Sequence, residues 1–257
     1  MGTKTKYILG LDLHGTLLEP GEILRQEMVE PIKSSLANLN NRASRFICTG
    51  NDLSFVCRKI PSPILAEIDG HILETGCSVS RDNKTEEILT TVAEQNLIRE
   101  LDCLLRQQRF TEINYFAHRL TTISMFCDQP QNFWQKITEF VKTTPYFPLV
   151  HITYSSVAVD ILPSGYDKHK GLSLVADGHQ TIGIADSMND RSLLENSDFA
   201  FAPANLSPEL LLILQKSGRQ IIPLVQANQL SSNAVFIATQ PETAGVKEIL
   251  DFLNRVI

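Results

Sequence analysis

Four short stretches of this chain carry residues whose types and order can do chemistry. In the first, an apolar run from Tyr7 to Leu11 ends on Asp12, with Gly15 and Thr16 just beyond. In the second, Arg45 to Cys48 runs into Thr49-Gly50. The third offers a lysine, at 168 or 170, where a helix pattern opens, and in the fourth Thr181 to Ala185 ends on Asp186, with Asp190 close behind. A carboxylate delivered at a strand end can be a nucleophile, a metal ligand or both. Asp12 and Asp186 can share a Mg²⁺ through oxygens, because that ion takes hard ligands and few protein contacts beside water and substrate. Thr49, the Gly50 amide and a lysine can hold phosphate oxygens while charge builds on them. Together these groups describe a phosphoryl-transfer site.

The elements that must position them follow from periodicity. Tyr7–Leu11, Arg45–Cys48, Thr181–Ala185 and residues 198–202 read as buried parallel strands. Helical spacing covers Glu22 to Leu39, with Pro31 as a break or a fresh first turn. It also covers a helix capped by Asp52 and running to about Lys59, then 165–176, 190–196, Ser207 to Lys216 and Pro241 to Ile257. Pro61 and Pro63 stop the second helix. Ile64 to Ile68 is expected as a short strand, and Ile72 to Ser80 as one extended piece. Between these blocks the texture changes. Glu86 to Gln108 reads as a long helix, Thr111–Ala117 and Thr121–Cys127 as alternating strands, Gln131–Lys142 as a helix with the single tryptophan, and 149–162 as two more strands.

The expected architecture is α/β: a Rossmann-like parallel-sheet core formed by 1–80 and 163–257, with an α+β insert at 81–162 over the strand ends, where an open parallel sheet places its ligand site.

Composition narrows the function classes. The 257 residues are 43% hydrophobic and 20% charged, with a formal net charge of −6 and no basic block. That argues against a nucleic-acid partner. No apolar stretch is long enough to span a bilayer, and the opening MGTKTKY lacks the apolar core of a secretory signal, so the expected setting is soluble and cytoplasmic. The five cysteines form no C-x-x-C pair, which fits reduced thiols better than a disulfide framework or a zinc site. Nothing in the sequence fixes the oligomeric state.

The four stretches, in this order, resemble the motifs of the haloacid dehalogenase superfamily of aspartate-nucleophile phosphatases: Asp12-Leu13-His14-Gly15-Thr16, Thr49-Gly50, Lys168, and Asp186-Ser187-Met188-Asn189-Asp190. The large insert, entered through Glu74-Thr75-Gly76-Cys77 and left through 159–165, resembles the C2-type cap of the branch holding sucrose-phosphate phosphatase, mannosyl-3-phosphoglycerate phosphatase and the Cof-like sugar phosphatases. The resemblance implies that Asp12 attacks phosphorus to form an aspartyl-phosphate. It implies Mg²⁺ held by Asp12, the His14 carbonyl and Asp186, with Asp190 orienting the metal shell or the lysine and Asn189 helping to hold phosphate. Gly165-Tyr166-Asp167-Lys168 matches the family's Gly-x-x-Lys, which favours Lys168 over Lys170.

One position departs from that pattern: where most members carry a second Asp, two residues after the nucleophile, this chain has His14. That Asp protonates the leaving oxygen and later activates water, help worth about 10²–10⁴ in rate. An imidazole can donate and accept a proton, but a nearby Mg²⁺ disfavours its charged form. The expected activity is therefore a Mg²⁺-dependent phosphomonoester hydrolase acting on a small phosphorylated metabolite such as a sugar phosphate. The alternatives are a catalytically impaired binding or regulatory protein, and a phosphosugar mutase. Asp160 follows an apolar run and can face the site, but it reads first as a hinge carboxylate capping local amides. Arg106, Arg109, Tyr115, Arg119 and Trp134 can contact a sugar, yet none is singled out, since such residues more often build a core.

Overall fold

Every residue of β1 (Tyr7–Leu11) is buried, as an apolar run flanked by two parallel strands must be. In the computed structural model, which describes residues 7–257, the chain continues through α1 (Gln26–Ala37), β2 (Ala43–Cys48), α2 (Leu53–Lys59), α3 (Ser62–Leu65), β3 (Gly70–Leu73), β4 (Ser78–Ser80) and β5 (Glu87–Ile88). Next come α4 (Val92–Gln107), β6 (Tyr115–Phe116), β7 (Ile123–Phe126), α5 (Pro130–Lys142), β8 (Val150–Tyr154) and β9 (Ala158–Pro163). The remainder is α6 (Lys168–Ala176), β10 (Gln180–Ile184), α7 (Arg191–Asn196), β11 (Phe199–Ala202), α8 (Pro208–Lys216), β12 (Gln220–Pro223), β13 (Ala234–Ile237) and α9 (Glu242–Val256). The N-terminal stretch read for a targeting signal lies, apart from Tyr7, outside the described residues. No described helix is long and apolar enough to cross a membrane.

The large sheet has nine strands in the order β12-β13-β11-β10-β1-β2-β3-β4-β5, parallel except for its last two pairings. From β1 the chain steps outward to β2 and β3, and from β10 it steps the other way to β11, so the order reverses between these two neighbours. A crevice opens at such a reversal. One apolar cluster, including Leu9, Leu11, Ile32, Ile182 and Phe252, fills one face of the sheet, and another, including Ile8, Phe46, Leu172 and Leu193, fills the other. The small sheet is antiparallel, in the order β6-β7-β9-β8, and packs α4 and α5 over a core of its own around Leu101, Met125, Ile137 and Ile161.

Several local expectations are corrected. Ile64 to Ile68 is not a strand: Pro61 caps α3 and Pro63 stands in its first turn, and Ile64, Leu65 and Ile68 are buried at helical spacing. Ile72 to Ser80 is not one extended piece. Glu74 (φ 43°), Thr75 (φ 58°) and Gly76 (φ 91°) turn left-handed, so β4 folds back antiparallel on β3. The helix expected from Glu86 starts at Val92, where Thr91 and Glu94 form a capping box, and the residues before it pair as β5 with β4. The large sheet therefore continues past residue 81. Only Tyr115–Phe116 of the expected strand Thr111–Ala117 pairs. Pro31 does not break α1, which buries Ile32 and Leu36 beyond it. The edge strand β12 and its neighbour β13 had no counterpart in the sequence reading.

Candidate active site

The strand order sets three side chains beside one another at the C-terminal edge of the large sheet: Asp186 after β10, Asp12 after β1 and Thr49 after β2. The Asp12 amide donates to the Ile184 carbonyl at 2.9 Å, and that of Thr49 to Ile72 at 2.8 Å, so both residues leave their strands with the backbone still tied down. Gly15 follows at φ 77°, and a Cβ there would lie 2.4 Å from Asp186 Oδ2. Only glycine lets this turn pass so close to that carboxylate. Thr16 Oγ1 donates to Asp186 Oδ1 at 3.0 Å, and Asn205 Nδ2 donates to the Gly15 carbonyl at 2.7 Å.

Lys168 is the first residue of α6, whose N-cap Asp167 accepts from the Lys170 amide at 2.8 Å. The fully buried Lys168 Nζ donates to Asp12 Oδ1 at 2.6 Å and to Asp190 Oδ1. Lys170 points elsewhere: it is exposed, and its ammonium donates to the Gly165 carbonyl at 2.8 Å. Asp190 is held by Ser187, whose hydroxyl donates to Asp190 Oδ2 at 3.0 Å and to Asn189 Oδ1 at 2.8 Å.

Carboxylate oxygens of Asp12, Asp186 and Asp190 all lie within 4.8 Å of one another, and all three residues are buried. Burial, reinforced by Asp12 and Asp190, pushes the Asp186 carboxyl above the usual range. Burial and then Asp12 push Asp190 up likewise, against the pull of Lys168. Burial alone would lower the Lys168 ammonium, but Asp12 and Asp190 outweigh it and raise it. Three crowded hard-oxygen donors against a single ammonium are a donor set suited to a divalent cation such as Mg²⁺.

The remaining expected residues line one small pocket over Asp12: His14, Thr49, Gly50 and Asn189. Thr49 Oγ1 accepts from the Asn51 side chain at 3.0 Å. The His14 ring packs 5.4 Å from the Phe55 ring, with Nδ1 3.4 Å from Asn51 Nδ2 and Nε2 3.6 Å from Glu22 Oε1. Burial lowers its pKa, Glu22 opposes that, and Lys168 adds to the lowering.

The same pocket receives residues from the small-sheet segment. Arg119 donates through Nε to the Gly50 carbonyl at 3.0 Å and through Nη2 to Asn51 Oδ1 at 2.5 Å. Asp160 does not cap local amides as expected; it stands mid-strand in β9, accepts from Ser124 Oγ on β7 and faces the pocket. The signal that finds it is the period of two: Val159 and Ile161 enter the small core, which turns Asp160 to the opposite face. Arg119 lies in an irregular loop with no such period. Asn51, Asn205 and Glu74 were also missed. Buried Glu74 accepts from the amides of Leu120 at 2.9 Å and Thr121 at 2.7 Å, tying the large sheet to the loop that carries Arg119. Beside the pocket opens a cavity of about 920 Å³ whose lining includes Glu22, Tyr115, Phe126, Tyr154, Glu209 and Glu242. All five cysteines are free.

No family profile matches the chain. A curated phosphoglycolate phosphatase of Staphylothermus marinus is 23% identical over 111 residues, and the match covers 39% of this chain and 46% of that protein, less than half its length. Among solved structures, the sucrose-phosphatase of Synechocystis, in complex with sucrose and phosphate, superposes with a TM-score of 0.72 at 18% identity, covering 96% of this chain and 97% of that one. A HAD subclass IIB sugar phosphatase superposes with a TM-score of 0.63 at 14% identity, covering 98% and 100%. The fold is the haloacid dehalogenase fold of these neighbours, a parallel-sheet α/β core with a second sheet inserted over its strand ends.

Proposed function

We propose that the protein is a phosphomonoester hydrolase that uses Asp12 as the phosphoryl acceptor. The observation that carries this reading is the buried set of Asp12, Lys168, Asp186 and Asp190 at the reversal of strand order, in a chain whose fold is that of known phosphatases. Lys168 orients Asp12 by holding one carboxylate oxygen, which leaves the other free to approach phosphorus. Its ammonium and the Gly50 amide supply positive charge and a donor where the phosphoryl oxygens gain negative charge. Thr49 and Asn189 complete the phosphate cradle. Asp12, the His14 carbonyl and Asp186 would hold Mg²⁺, with Asp190 fixing both that shell and the lysine. When bound, such an ion neutralises the crowded carboxylates and polarises a phosphoryl oxygen.

The substrate is a small phosphorylated metabolite, in this reading a sugar phosphate. Support comes from the neighbouring cavity, where Tyr115 and Phe126 stack at 4.5 Å and Tyr154, Ser155, Glu22 and Glu209 offer partners to hydroxyl groups. Residues 81–162, apart from the β5 pairing, act as the cap that supplies this wall. The test is Mg²⁺-dependent phosphate release from a panel of sugar phosphates, with Asp12→Asn alongside. The expected outcome is release by the natural sequence and none above background by the variant. Surviving activity in Asp12→Asn removes the nucleophile assignment, binding without release by the natural sequence favours a phospho-ligand receptor, and isomerised sugar in place of free phosphate favours a mutase.

A further inference from the structure

The acid position of the resembled motif is filled by His14, whose Nδ1 faces the Asn51 amide at 3.4 Å and whose buried Nε2, without a hydrogen bond, lies 3.6 Å from the Glu22 carboxylate. The ring lies between Phe55 and Glu22, contacts that compete with giving up a proton to an alkoxide. The pocket over Asp12 contains a second group able to do so. We infer that Asp160, reaching in from β9, gives its proton to the leaving oxygen and later takes one from the attacking water.

Asp160 is 5% exposed and points away from the small-sheet core, into the pocket that Asp12 also lines. Its Oδ1 is engaged by Ser124 Oγ, its direct cross-strand partner. Oδ2 has no hydrogen-bond partner among the described residues and abuts the phosphate-loop glycine, since a Cβ on Gly50 would lie 3.8 Å from it. One oxygen is therefore fixed and the other is presented to the space beside Gly50. Burial raises the Asp160 carboxyl, opposed by Ser124, Arg119, Lys168 and His14. A carboxyl set this way, one oxygen held and the other open to the pocket, is the arrangement of an acid-base group.

The inference rests on the phosphatase reading, and its chemistry balances. An Asp12 oxygen bonds to phosphorus while the bond from phosphorus to the leaving oxygen breaks, its electron pair staying on that oxygen. The Asp160 proton joins it and a neutral alcohol departs. Water oxygen then bonds to phosphorus and passes a proton to the Asp160 carboxylate, and the Asp12–phosphorus bond breaks with its pair returning to Asp12.

The test compares Asp160→Asn with the natural sequence, full chain with Mg²⁺, on glucose 6-phosphate and on 2,4-dinitrophenyl phosphate, whose phenolate needs no proton to leave. Asparagine keeps the size of the side chain and an oxygen for Ser124. With the sugar phosphate, turnover is expected to fall about 10²- to 10⁴-fold. With the dinitrophenyl ester, stopped flow is expected to show a burst of about one phenolate per chain at the natural rate, then slow turnover with phosphorylated protein accumulating. An unchanged sugar-phosphate rate overturns the assignment, and so does loss of the burst, which would mark a structural role. If the natural sequence hydrolyses neither ester, the phosphatase reading fails first.

Discussion

The large sheet and the small sheet contribute to one site by different routes. The large sheet presents Asp12, Thr49 and Asp186 from the ends of three strands whose backbones are already fixed, with Lys168 and Asp190 reaching in from α6 and the turn before α7. The small sheet contributes Arg119 from a loop and Asp160 from mid-strand. Charge set at strand ends is positioned by the fold itself. Charge brought from the insert is positioned only while the two layers stay docked, through Glu74 on the amides of Leu120 and Thr121 and Arg119 on Gly50 and Asn51. In the proposed reading the large sheet carries the phosphoryl chemistry, and the insert supplies the wall and a proton.

Substitutions can break or sharpen that contrast. Among the substitutions that follow, the largest effect is expected of Lys168→Met, which removes the ammonium among three buried carboxylates and should lower the rate of phosphate release by about 10²- to 10³-fold. A small loss there would shift the weight of the chemistry toward the insert. Arg119→Ala is expected to reduce kcat/KM by about 10- to 100-fold, the worth of charge-assisted hydrogen bonds, with kcat for bound substrate falling less. An equal fall in kcat would make Arg119 part of the chemistry. Glu74→Gln should loosen the docking and cost about 1–2 kcal/mol, read as a drop of several degrees in Tm with a smaller change in activity. Lys170→Ala is the small-effect control. It sits two residues from Lys168 but faces solvent, so activity and Tm should stay close to the natural values.

The same contrast explains what was legible in the sequence. Strand-end residues announce themselves because an apolar run must stop where they begin, so Asp12, Thr49-Gly50 and Asp186 could be read directly. Lys168 needed the Gly-x-x-Lys likeness, since spacing alone left it level with Lys170. Asp160 is legible as a carboxylate with two readings, facing the site or capping a hinge, and the burial of Val159 and Ile161 on either side decides for the first. Arg119, Asn51 and Glu74 act through contacts across 46 to 69 positions of sequence, which no local pattern reports. The left-handed turn at Glu74 and Thr75 was missed because only the third of its residues, Gly76, is a type that advertises such a conformation.

The buried carboxylates also carry a consequence for folding. Asp12, Asp186 and Asp190 withdraw three acidic groups from water and return one ammonium to them, so folding without a cation works against their mutual repulsion and lost hydration. A ligand that binds only the folded chain adds stability by mass action, about 2.7 kcal/mol at a hundredfold excess over its dissociation constant. In the proposed Mg²⁺-binding reading, melting temperature and resistance to proteolysis should therefore rise with the free magnesium level.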